Sequence, residues 1–212
     1  MAGLAEDVVC PVCSDRQQTY AVQQQIRRSG VPERYVLLEL ADLSPLPVHE
    51  LVKRCMRQPQ KILRVGESLI LYGLPGSGKT QAAVLMMKAM IRAGYRAELV
   101  NMGRLALELR SSGFRGEGGV LERLGSCDFL VVDDVGAGES KSHQHENTLL
   151  YLVLEERHNR QLPTVFTTNL APKAFVAALG ERLLNRLMPV KQFEVKGKNF
   201  RLRETEVSVW IQ

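Results

Sequence analysis

The feature that most constrains this chain is Gly73-Leu74-Pro75-Gly76-Ser77-Gly78-Lys79-Thr80, which fits the pattern G-x-x-x-x-G-K-[ST]. It follows a short apolar run, Ser68-Leu69-Ile70-Leu71-Tyr72, and precedes a helix expected over residues 79–93. A strand that turns through glycines into a helix gathers inward-facing amides and the positive end of a helix dipole at one point, where phosphate oxygens can sit. Lys79 is then placed to reach β and γ phosphates, and the Thr80 hydroxyl to ligate magnesium. ATP with Mg2+ is therefore the expected ligand. The flanking strand and helix set this loop apart from a chance glycine-lysine turn.

Around the loop, apolar runs and helical spacings alternate. A helix is expected over 47–57, where Val48, Leu51, Val52 and Cys55 recur at helical spacing. Strand 96–100 follows the loop helix, and residues 102–112 read as an amphipathic helix through Met102, Leu105, Leu107 and Leu109. The glycines between 113 and 119 predict a flexible segment, followed by a further helical turn near Leu121. Residues 128–133 are near-continuously apolar, the pattern of a parallel strand covered on both faces. A helix over 146–159, a strand over 164–168, helices over 173–179 and 181–187 and a last strand over 192–195 complete the series. This alternation predicts an α/β fold with a doubly wound parallel five-stranded sheet over 31–212. Residues 1–30 are polar and end at Gly30-Val31-Pro32, so they read as a short N-terminal appendage.

At 212 residues and 45% hydrophobic content the chain can bury one main core without disulfides. Of the four cysteines, Cys10, Cys13, Cys55 and Cys127, only the first two are close in sequence, which argues against a stapled secreted scaffold. Cys10-Pro11-Val12-Cys13 has the spacing of half a zinc site, but no second pair lies nearby and His49 is distant; a reduced, unliganded pair is the competing reading. No apolar run approaches the roughly 20 residues of a membrane span. Glu6 and Asp7 stand where a signal peptide would carry basic residues, so a cytoplasmic location is expected. A net charge of +5 leans toward polyanionic partners. Lys191, Lys196, Lys198, Arg201 and Arg203 make the C-terminal region basic, as a phosphate-tracking surface or simply a wet edge. His143 and His145 read as a solvated loop ahead of a helix.

Three further positions suit nucleotide chemistry. Asp133 ends the third strand as the magnesium-side carboxylate, and Asp134 is the candidate for polarising an attacking water, or else caps a turn before Gly136. Asn169 ends the fourth strand, where a polar amide can orient a water or touch the γ-phosphate, or can serve the turn alone. Arg182 and Arg186 share one face of a helix and suit a neighbouring subunit's nucleotide; solvated surface arginines are the alternative.

Taken in order, the loop, Asp133-Asp134, Thr167-Thr168-Asn169 and Arg182-x-x-x-Arg186 resemble the AAA+ ATPases, most of all the DnaC/DnaI-type helicase loaders and the similar IstB transposition helpers. Finer matches are Ser29-Gly30-Val31-Pro32-Glu33-Arg34-Tyr35, Val131-Val132-Asp133-Asp134-Val135-Gly136, Pro163 to Leu170, and Gly197-Lys198-Asn199-Phe200-Arg201. The resemblance covers about residues 29–203. It implies that Lys79 and Thr80 bind ATP and magnesium, that Asp133 and Asp134 serve the second motif, and that Asn169 is the first sensor. Arg186 would be the arginine finger and Arg182 the arginine preceding it.

Residues 102–125 would correspond to the insertion that steers such proteins into spirals on single-stranded DNA, with Arg104, Arg110 and Arg115 as phosphate contacts. The appendage at 1–30 would bind the partner, and the sequence beyond Arg186 would hold a reduced lid or none. The function so implied is ATP-dependent loading of a replicative DnaB-type helicase onto single-stranded DNA, with self-association into a ring or spiral. Set against it are a transposition helper acting on duplex DNA, a small-molecule phosphotransferase, and a nucleotide-gated adaptor that hydrolyses little.

Overall fold

The computed structural model describes residues 11–43, 47–136, 144–180, 187 and 190–197; of residues 11–18, 106, 109–115 and 144–147 it describes the backbone alone. The elements in chain order are α1 (Pro11–Arg28), α2 (Glu33–Val36), a 3-10 turn (Leu40–Asp42), α3 (Pro47–Arg57), α4 (Pro59–Val65), β1 (Ser68–Tyr72) and α5 (Lys79–Arg92). There follow β2 (Ala97–Asn101), α6 (Met102–Ser126), β3 (Phe129–Val135), α7 (Gln144–Asn159), β4 (Thr164–Thr168), α8 (Pro172–Leu179) and β5 (Val190–Glu194). All four strand pairings are parallel, in the order β2-β3-β4-β1-β5. The doubly wound five-stranded α/β sheet expected from the sequence is present.

Strand parity builds the two core layers. Side chains alternate across a strand, and Leu71, Leu99, Phe129, Val131 and Val165 pack with α1, α3 and α5. Their neighbours Ile70, Val100, Leu130, Val132 and Phe166 face the other way, against α6, α7 and α8. Val135 breaks the alternation: it is odd-numbered, yet it lies with the even residues. The cause is a register shift against β4 between Val132 and Val135, with Asp134 in the left-handed region at φ 61°. One extra residue in the strand flips the parity beyond it. The sheet thus keeps Asp133 on the α5 side and still buries Val135 on the opposite one.

Helix boundaries explain most differences from the sequence reading. The expected flexible segment at 113–119 is part of one 25-residue helix, α6. Its glycines each cost about 1 kcal/mol of helix propensity relative to alanine, and tertiary packing overrides them: Val120 and Leu124 are buried against Leu149, Leu150 and Val153 of α7. The polar stretch before Gly30 contains α1, whose Ile26 joins the core beside α5. Ser29 accepts the Leu99 amide hydrogen at its carbonyl, 2.7 Å. A short helix not expected from the sequence, α4, starts on Pro59 and stops at Gly66 in the left-handed conformation. No helix among the described residues is long and apolar enough to cross a membrane.

Two buried cations tie layers together. The Arg157 guanidinium, 1% exposed, donates to the carbonyls of Leu124 (2.9 Å), Cys127 (2.7 Å) and Pro163 (2.6 Å) and to Thr164 Oγ1 (2.9 Å), joining α7 to the end of α6 and the start of β4. Lys88 of α5, also 1% exposed, donates to the carbonyls of Val36 (2.9 Å) and Leu38, with Glu39 3.7 Å away. Burial pulls the pKa of both cations down from their ordinary values.

Candidate functional site

Strands β2, β3 and β4 and the loop after β1 deliver polar groups to one cavity of about 240 Å3, lined by residues of the glycine loop together with Asn101, Asp133, Asp134, Thr167 and Asn169. The loop needs its glycines: Gly73, Gly76 and Gly78 have φ values of 147°, 77° and 97°. At Gly73 a side chain is also excluded by space, because a Cβ would stand 2.6 Å from the Val195 carbonyl oxygen. Gly78 caps α5 without a side-chain hydrogen bond, leaving the first-turn amides to a ligand. Ser77 is fully buried. Lys79, 7% exposed, donates to the carbonyls of Gly73 (2.9 Å) and Leu74 (2.7 Å), so its ammonium lies folded along its own loop.

The second motif meets the loop helix through hydroxyls. Thr80 Oγ1 donates to Asp133 Oδ1 at 2.8 Å, and Thr167 Oγ1 donates to the same oxygen at 2.6 Å. A hydroxyl has one proton. With its proton on Asp133, Thr80 presents lone pairs to the cavity, the chemistry that suits a hard cation such as Mg2+. Asp133 is 8% exposed, so its charge is sheltered and directed rather than solvated. The donor set therefore fits a magnesium-nucleotide: acceptor oxygens on one side, amides and an ammonium on the other.

The fourth strand contributes more than Asn169. Thr168 Oγ1 donates to the Val135 carbonyl (2.7 Å) and accepts the Leu170 amide hydrogen (3.0 Å), holding the turn that presents Asn169 to the cavity. Sequence reading carries Thr167 and Thr168 in the matched run Thr167-Thr168-Asn169 but assigns a role to Asn169 alone. It also missed Arg34, Tyr35, Gln81 and Asn101, which line the same cavity. Arg34 lies over the Tyr35 ring at 4.7 Å. Asn101 ends β2 and accepts the amide hydrogens of Gly103 and Arg104 as N-cap of α6. The resemblance marked Arg34 and Tyr35 as part of a matched segment, but no spacing rule announces them, because α2 reaches the loop from a distant part of the chain.

Arg182 and Arg186 lie outside the described residues, as do Cys10, His143, Lys198, Arg201 and Arg203; of Arg110, Arg115 and His145 only the backbone is described. Leu187, beside Arg186, is 3% exposed in the core. Among the described residues no group of three or more His, Cys, Asp or Glu could hold a metal ion.

A glycine-rich loop between an interior parallel strand and a helix, faced by a carboxylate from β3 on the far side of β4, is the arrangement of P-loop nucleotide-binding domains, and the fold is that of the AAA+ class. A crystal structure of DnaI matches with TM-score 0.65 and 20% identity over 83% of this chain and 98% of that one. A DnaC helicase loader structure matches with TM-score 0.65 and 22% identity, covering 78% and 100%.

A family model described as IstB-like ATP binding protein matches residues 49–208, and the chain belongs to that family. Among curated relatives, the replicative helicase loader DnaC of Buchnera aphidicola is 24% identical over 173 residues, 78% of this chain and 69% of the relative. DnaC of Escherichia coli is 26% identical over 125 residues, covering 57% and 49%. DnaI of Bacillus subtilis, also called a replicative helicase loader, is 25% identical over 160 residues, covering 74% and 50%. The chain spans only about half the length of the last two.

Proposed function

We propose that this domain is an ATP-dependent loader of a replicative DnaB-type helicase onto single-stranded DNA. The observation that carries the reading is the convergence of Lys79, Thr80, Asp133, Asp134 and Asn169 on one cavity, in a chain whose curated relatives are named as helicase loaders. Binding ATP moves Lys79 from its loop carbonyls onto phosphate oxygens, while the loop amides and the α5 terminus hold the rest of the chain of phosphates. Magnesium, when bound with ATP, neutralises phosphate charge; Thr80 would hold it, and Asp133 would hold it or its waters.

Asp134 and Asn169 then orient the attacking water, and Arg186 of a neighbouring copy completes the site, with Arg182 beside it. Such a shared site makes ATP an assembly switch: binding closes a ring or spiral on DNA, and hydrolysis, even if slow, releases it. The domain works in the cytoplasm, where residues 1–30 engage the helicase and residues 31–212 form the ATPase.

Mixing the protein with the helicase of its host and measuring complex mass by light scattering tests this. A complex formed with ATP and lost after hydrolysis is expected; no co-elution with any nucleotide would refute loading. The resemblance to IstB-type proteins leaves one rival, a transposition helper that binds duplex DNA. Capture of a transposase rather than a helicase would establish it.

A further inference from the structure

We propose that Thr167 is a positioning residue for the magnesium-nucleotide site: its hydroxyl fixes both the Asp133 carboxylate and the backbone of Asp134. The inference rests on the nucleotide-binding reading above and extends it to a residue outside the loop, the two aspartates and Asn169. Thr167 is 1% exposed on β4, so water does not compete for its hydroxyl.

Its partners dictate the direction of both bonds. The Asp134 amide can only donate, and it reaches Thr167 Oγ1 at 2.9 Å. The ionised Asp133 carboxylate can only accept, and Thr167 Oγ1 gives it the single hydroxyl proton at 2.6 Å. A hydroxyl is free to rotate in general; this one has no second arrangement that satisfies both neighbours.

Two consequences follow for the cavity. Thr80 donates to the same Asp133 oxygen, so Thr167 and Thr80 together saturate Oδ1 and leave Oδ2 to a cation or its waters. Thr167 also pins Asp134 within the bulge, where a non-glycine residue holds φ 61°. Bulges re-aim side chains beside active sites, and this one sets where the Asp134 carboxylate can point. A residue from β4 thus fixes the geometry of β3, so the sheet itself orients the acidic pair toward whatever Thr80 holds.

The test compares Thr167→Val, which keeps the shape and removes the hydroxyl, with Thr167→Ser, which keeps the hydroxyl. Mn2+ affinity in the presence of ADP is read by electron paramagnetic resonance of free Mn2+, and binding of a fluorescent ADP analogue is read in EDTA. Outer groups that orient metal ligands are worth roughly 10- to 100-fold in metal affinity. Thr167→Val is expected to weaken Mn2+ binding about tenfold, to leave metal-free nucleotide binding unchanged, and to be rescued by Thr167→Ser. Wild-type Mn2+ affinity in Thr167→Val, equal loss with and without metal, or failure of Thr167→Ser would each overturn the proposal. Should Thr167→Val not fold, hydrogen exchange in the wild type decides: a protected Asp134 amide is expected, and exchange at the rate of an unstructured chain overturns it. Absence of nucleotide binding by the wild type would instead strike the functional reading itself.

Discussion

Helix α5 carries two buried lysines, and they do opposite work. Lys79 donates to carbonyls only five and six residues away, in a loop that borders the polar cavity. Lys88 donates to carbonyls 50 and 52 residues away, at the end of α2 and just beyond it, with Glu39 close by to balance its charge. The first set of bonds is local and can be exchanged for phosphate oxygens without parting any two elements. The second set joins distant segments, and nothing can replace it without unpacking them. Burial of a cation on this helix therefore does not by itself mark function; the sequence distance to its acceptors separates the switch from the clamp.

That contrast can be broken at several points. Arg157 is a clamp of the same kind as Lys88, with more bonds, so Arg157→Ala should give the largest effect. It strands the carbonyls of Leu124, Cys127 and Pro163 and opens a cavity, with an expected loss of about 3–5 kcal/mol of unfolding free energy in a urea titration. Lys88→Met keeps the volume and removes the donors to Val36 and Leu38. A loss of about 1–3 kcal/mol is expected, with ATP affinity unchanged within about twofold because the site is remote. A large fall in affinity with no loss of stability would erase the distinction between the two lysines.

A smaller effect follows from the direction of the Lys88 shift. Its pKa in the fold lies below the ordinary 10.5, so between those two values the unfolded chain holds more protons and stability rises with pH. Unfolding midpoints followed upward in pH to 10.5 should show a rise in the wild type that Lys88→Met lacks. Smallest is the reactivity of Cys55, whose thiol burial pushes up to about 11. At pH 8 roughly one molecule in a thousand is thiolate, so mass spectrometry after iodoacetamide should find Cys55 unmodified in the folded chain and modified in urea.

The same local-versus-distant distinction explains what could be read before the fold was seen. The loop, β1, α5 and β4 were legible because each is a contiguous pattern whose chemistry lies within a few residues. Five strands and their alternation with helices followed from apolar runs that a parallel sheet requires. Illegible were the features set by partners far along the chain: α6 as one helix across its glycines, held by α7; the bulge at Asp134, set by register against β4; and the threonines of β4 that orient β3. Arg34 and Tyr35 belong with these, brought to the cavity by α2 from a distant part of the chain.

Lys79, on this contrast, belongs to an exchangeable site rather than to the frame of the fold. Calorimetric titration of ATP with Mg2+ into the wild type and Lys79→Ala, alongside their urea unfolding curves, tests it directly. Saturable one-site binding by the wild type is expected, weakened by at least about 100-fold in Lys79→Ala, which loses a charge-assisted contact to phosphate, while the two unfolding midpoints coincide. Equal affinities, or a Lys79→Ala chain that loses stability as Lys88→Met does, would contradict it.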